Sequence, residues 1–126
     1  MEIRDSGSGR IYHRRHLEEG GEFAIEFIHS VNQSPVRETF AAEGRMIRLV
    51  ALRFYSFGAG IPSYLEEGQQ LSRDGDAMLI TGFSTAMREL NYIVGTVSDH
   101  LLFIDGEEVS LRELCGRNAH ITIRLR

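Results

Sequence analysis

An all-β fold, an antiparallel sandwich or partly open barrel of about eight strands with one short helical turn, is what the sequence predicts. Three observations predict it. Short runs rich in β-branched and aromatic residues recur along the chain. Gly, Asn, Asp or Pro interrupts these runs at intervals of about eight to twelve residues, as antiparallel connections require. Thirteen glycines in 126 residues supply that punctuation, and only one segment carries helix start and stop signals.

The strands are read in order as follows. Arg10 to His13 carries Ile11 and Tyr12. Glu22 to Ser30 alternates, with Phe23, Ile25, Phe27 and His29 on one face. Val36 to Ala42 places Val36, Glu38, Phe40 and Ala42 together and turns Arg37, Thr39 and Ala41 away. Met46 to Ser56, Ala77 to Phe83, Met87 to Val97, His100 to Ile104 and His120 to Leu125 complete the set. Thr85 to Leu90 contains competent helix formers, but the alternation of Leu90, Tyr92 and Val94 favours strand. The helical turn is Ser110 to Leu114, where Ser110 and Glu113 have capping-box spacing and Gly116 stands as the stop. Asp105 and Gly106 form a turn signal.

Length and composition bound the rest. A chain of 126 residues with 42% apolar and 25% charged side chains suits one folded domain, expected over residues 1–126. The net charge is −4, and the longest basic cluster is the pair Arg14 and Arg15, which argues against a nucleic-acid partner. All 14 basic residues are arginine, so Schiff-base and P-loop lysine chemistry is absent. Cys115 is the single cysteine, and neither an internal disulfide nor a thiolate zinc cluster can form. No apolar run approaches the ~18 residues of a spanning helix, and Met1, Glu2, Ile3, Arg4, Asp5 do not open a signal peptide, so the chain reads as soluble.

One polar pair stands out. If Asn32, Gln33, Ser34 and Pro35 close a hairpin, then Val31 faces Val36, Phe27 faces Phe40, and His29 faces Glu38 on an otherwise apolar face. A buried carboxylate must be paired or protonated, and stability alone is a poor reason for a buried ion pair. Two readings stay open: a satisfied pair that fixes strand register, and a ligand, proton-transfer or metal site. A second feature is the corner Phe57, Gly58, Ala59, Gly60, Ile61, Pro62, followed by a long polar stretch through Asp76 that reads as a loop. Gly58 and Gly60 read as a sharp sheet corner, or as a backbone nest for a small anion; the triplet lacks the pattern of a nucleotide cradle.

Other constellations are weaker. His13 and His16 face apart on a strand, and Cys115 with His120 provides no convergent ligand set, so no metal and no cofactor is assigned. Asp99 and His100 combine on paper with Ser30, Ser56 or Ser63 as a hydrolase triad, but no Gly-x-Ser-x-Gly elbow presents those serines.

The blocks Phe27, Ile28, His29, Ser30, Val31 with Pro35, Val36, Arg37, Glu38, and Ser56, Phe57, Gly58, Ala59, Gly60, Ile61, Pro62, resemble an uncharacterised bacterial family, number 1850 among the domains of unknown function. The resemblance implies a gene context beside tripartite, periplasmic-binding-protein-dependent (TRAP) transporters of the TAXI type. It also implies an extracytoplasmic or membrane-anchored location through an N-terminal hydrophobic segment, from which this chain departs. On it rests the leading expectation, a non-enzymatic accessory or binding module that meets a transporter component or a small anionic solute. Its expected ligand-binding residues are His29, Ser30, Glu38, Gly58 and Gly60. The alternatives are a small-ligand β-barrel and an enzyme that uses His29 and Glu38 as an acid–base pair.

Overall fold

A computed structural model describes residues 1–29, 33–55, 65–95 and 98–126. Its strands are β1 (Glu2–Asp5), β2 (Ile11–Arg14), β3 (Glu22–Ile28), β4 (Pro35–Glu43), β5 (Met46–Phe54), β6 (Gln70–Asp74), β7 (Ala77–Thr81), β8 (Ala86–Met87), β9 (Glu89–Ile93), β10 (Leu101–Ile104), β11 (Glu107–Ser110) and β12 (His120–Arg124). The single helix among the described residues, α1 (Leu111–Cys115), lies between the last two. All strand pairs are antiparallel.

Two sheets result. The smaller has the order β2-β1-β12-β9 and joins strands from both ends of the chain. The larger runs β11-β10-β3-β4-β5-β7-β6, with β8 also paired to β5. The all-β expectation therefore holds as a sandwich of open sheets, with no closed barrel among the described residues.

Period-two alternation produces the core. Ile3, Leu90, Ile121 and Ile123 project from the small sheet, and Phe23, Ile25, Phe40, Ile47, Leu102 and Ile104 from the large one, into a single buried cluster. Phe23 and Phe40 face each other across β3 and β4, with ring centroids 5.4 Å apart. The chain crosses from the large sheet to the small between β8 and β9, with Arg88 at the crossing.

Several local readings are seen directly. Ile104 pairs with Glu107 around Asp105 and Gly106, whose φ values of 51° and 76° are those of a type I′ turn. The Ser110 side chain caps α1 by accepting the Glu113 N–H at 3.1 Å, and Gly116 follows at φ 104°. Within 85–90, Ala86–Met87 form β8 and Glu89 and Leu90 start β9, with a bend at Arg88 between them.

Three elements escape the alternation rule. β6, inside the stretch read as loop, exposes all five of its residues, so no apolar period marks it. It is instead held by a two-residue hairpin, Asp74 pairing with Ala77. β1 and β11 are four residues each, too short to show a period.

Phe40→Ala should cost about 3–5 kcal/mol, since it leaves a cavity opposite Phe23 in a fully buried position. Urea unfolding reads this, and a loss below about 1 kcal/mol would mean that the sheets do not pack as described.

Candidate functional site

The β3–β4 hairpin positions the polar group of most interest. Pairing closes at Ile28 opposite Pro35, and the His29 N–H donates to the Ser34 carbonyl at 2.8 Å. The turn thus falls two residues earlier than read from the sequence. Pro35 needs no ladder donor at the first position of a strand, so it starts β4 rather than ending the loop. Phe40 consequently faces Phe23, four residues from Phe27, and Ile25, not His29, faces Glu38. His29, partly buried, lies past the end of β3, four positions and roughly 13 Å along the strand direction from Ile25. The expected His29–Glu38 apposition is not formed.

Glu38 keeps its expected face. A slip of two residues on each strand preserves alternation, and Glu38 sits between Ile25 on β3 and Leu52 on β5. The partner it meets comes from the opposite sheet: the Tyr92 hydroxyl, on β9, donates to Glu38 Oε1 at 2.9 Å. Burial raises the Glu38 pKa above the ordinary carboxyl value, and the Tyr92 hydrogen bond only partly offsets this. No cation among the described residues pairs with it. Burial, together with the neighbouring carboxylate, pushes the Tyr92 phenol upward, so it stays a neutral donor.

Beside this pair stands His100. Its ring stacks on Phe27 at 5.4 Å between centroids and tilts against Tyr92 at 5.7 Å. His100 Nδ1 accepts the Gly95 N–H at 3.0 Å, which leaves the ring proton on Nε2. Burial lowers its pKa, opposed by Asp99 and reinforced by Arg112. A carboxyl, a phenol and a neutral imidazole therefore share one aromatic-lined place where the two sheets meet.

Asp99 does other work. Its carboxylate accepts from the Ser110 hydroxyl and, at 3.0 Å, from the Arg112 N–H, while Arg112 Nη2 donates to the Gly95 carbonyl at 3.0 Å. This network ties the segment before β10 to α1. His100 Nδ1 is committed to Gly95 and not to Asp99, so the acid–base relay of a hydrolase triad is not assembled. Ser30, Ser56, Ser63, Gly58 and Gly60, with Val31, Ala59 and Pro62, lie outside the described residues. No group of three or more His, Cys, Asp or Glu placed to hold a metal occurs among the described residues.

Tyr92 is the site residue that sequence reasoning passed over, and His100 entered it only as a triad partner of Asp99. Tyr92 was visible as an inward strand position between Leu90 and Val94. Nothing in the sequence connects it to a carboxylate on another sheet.

Known proteins add a family and nothing finer. The family model described as "Domain of unknown function (DUF1850)" matches residues 23–111, the span that contains Glu38, Tyr92 and His100. No curated protein and no solved structure matches the chain. Strands β1, β2 and β12, three of the four in the small sheet, lie outside the matched span.

Two titration outcomes follow. Because the folded-state pKa of Glu38 is raised, its contribution to stability is fully present below the unfolded carboxyl pKa and is lost as pH rises through the folded value. Glu38→Gln, which keeps an acceptor for Tyr92, should therefore be more stable than the native chain at neutral pH, with the difference vanishing below about pH 4. Unfolding curves across pH read this; a variant less stable at neutral pH would place a cation on Glu38. His100 has the opposite sign: its contribution is present above the unfolded imidazole pKa, about 6.5, and is lost as pH falls through the lowered folded value. Imidazole NMR should show His100 as the Nε2–H tautomer at neutral pH, titrating below the ordinary value. A proton on Nδ1 would contradict the Gly95 hydrogen bond.

Proposed function

This chain belongs to the DUF1850 family, and from that premise we propose that it is a non-enzymatic accessory or binding module that partners a TAXI-type TRAP transporter, in an extracytoplasmic or membrane-anchored setting. The observation that carries the binding reading is the Glu38 carboxyl, desolvated between Ile25 and Leu52 and met by the Tyr92 phenol rather than by a base. A general acid–base pair needs proton donor and acceptor within hydrogen-bond reach of the same substrate. His29 stands beyond the end of β3, and among the described residues the hydrogen bond to Glu38 comes from Tyr92 and from neither histidine, so no such pair is formed at Glu38.

Recognition makes fewer demands. A half-buried acceptor beside an aromatic surface suits a polar group presented by a partner, which recovers the desolvation that the carboxyl already bears. The transporter partner and the location rest on what the family resemblance implies. No helix in the described residues is long and apolar enough to cross a membrane.

Affinity capture of the tagged full-length protein from native membranes tests the proposal. Enrichment of the TAXI-type solute-binding or membrane subunits is the expected result, reduced on Tyr92→Phe, which removes the donor to Glu38. Recovery free of any transporter subunit would overturn the partner assignment.

A further inference from the structure

A cavity of about 850 Å³ is lined by Arg45, Met46, Arg88, Glu89, Arg124, Leu125 and Arg126. Its four arginines come from three separate parts of the fold. Arg45 sits in the turn that joins β4 to β5, Arg88 at the crossing from the large sheet to the small, and Arg124 and Arg126 at and beyond the last position of β12. Sheet pairing brings these parts together: Ile47 pairs with Met87 on one side of Arg88, and Glu89 with Arg124 on the other. Among the described residues Glu89 is the only acidic side chain on the lining.

The surrounding charges do not neutralise this concentration. Among the described residues Arg45, Arg88 and Arg124 form no ion pair. Arg126 is held at 3.2 Å by Glu2, but that carboxylate, only 1% exposed, is already shared with Arg4 and with Arg14 at 3.0 Å. An adjoining cavity of about 350 Å³ shares Leu125 and Arg126, but its Arg14 and Arg15 are paired, with Glu2 on the same lining and with Asp105 and Glu107, so the unpaired charge lies in the larger hollow. The chain as a whole carries −4, so this basic concavity runs against the overall charge. Gathering like charges around a hollow focuses potential into it and raises the local concentration of an anion. Guanidinium forks match phosphate and carboxylate oxygens two at a time.

We propose that this cavity binds a small organic polyanion, one that carries two or more phosphate or carboxylate groups. The volume lies in the range of small-molecule sites and exceeds what a single inorganic anion fills. The site is separate from the Glu38–Tyr92–His100 cluster and does not depend on it. Arg124 and Arg126 lie outside the span that the family model matches, so the cavity joins the family's core to the strand that closes the small sheet.

Calorimetric titration of the whole chain with pyrophosphate and with citrate tests the assignment. Saturable binding of at least one, weakening as salt rises, is the expected result. Arg88→Gln and Arg124→Gln should each weaken it about tenfold or more. Arg53→Gln, whose guanidinium pairs with Asp74 at 3.0 Å away from the cavity lining, should leave it unchanged. Thermal unfolding of each variant verifies that the fold is intact; Arg88 is exposed and forms no ion pair among the described residues. The absence of saturable binding by both anions would overturn the proposal, as would an equal loss in Arg53→Gln, which would mark a diffuse charge effect. Co-sedimentation with phosphatidylcholine vesicles that contain phosphatidic acid forms a second arm. Vesicle binding without affinity for pyrophosphate or citrate would make the surface a lipid contact and sink the small-ligand assignment.

Discussion

The two sheets hold each other through one dry layer of branched and aromatic side chains, and every other feature of the molecule is arranged around it. Ile3, Ile121 and Ile123 on one side meet Phe23, Ile25 and Phe40 on the other, all at most 2% exposed. Strands of two to nine residues gain little from isolated pairing, and only burial of both inner faces makes the sheets worth forming. A polar group on an inner face must then find its partner across the layer or keep its proton. Glu38 finds one, the Tyr92 hydroxyl that reaches it from the opposite sheet, and burial raises its pKa.

That cross-sheet bond has consequences at both ends. Tyr92 is ordered on β9 by the β12 ladder and tilts against His100, whose ring lies on Phe27 of β3. A contact from β4 to β9 is thereby continued back to the large sheet through aromatic faces. Glu38 is stabilised toward its neutral form and so is His100, which keeps unpaired charge out of the layer. Charge is instead collected at the surface, where arginines crowd a cavity beside the end of β12. The small sheet separates these two environments, its inner face apolar and its outer face carrying the Glu2–Arg4–Arg14 cluster and the Ser6–Thr122–Asn91 hydrogen bonds.

The features legible in the chain are those with a local cause. Asp105 and Gly106 demand a tight turn because both take positive φ, and Ser110 caps α1 because its hydroxyl reaches the Glu113 amide. Glu38 was legible as an inward carboxylate from parity alone. Its neighbour was not. Placing the turn at residues 32–35 put His29 opposite Glu38, whereas Pro35 in fact begins β4 and Ile25 takes that place. β6 was illegible for the converse reason: a fully exposed strand has no apolar period, and only its hairpin with β7 reveals it.

From residues alone came the all-β class, the inward and outward faces, the turns, the helix cap, and the presence of a carboxyl on a greasy surface. Tertiary structure alone decided the register, the Tyr92 donor, the His100 tautomer and the gathering of arginines from three distant segments. The physical reason is that side-chain alternation repeats every two residues, so a strand displaced by two presents the same face with different neighbours. Contacts between sheets, and convergence of charges from separate turns, are set by how whole layers pack, and no short stretch of chain records that arrangement.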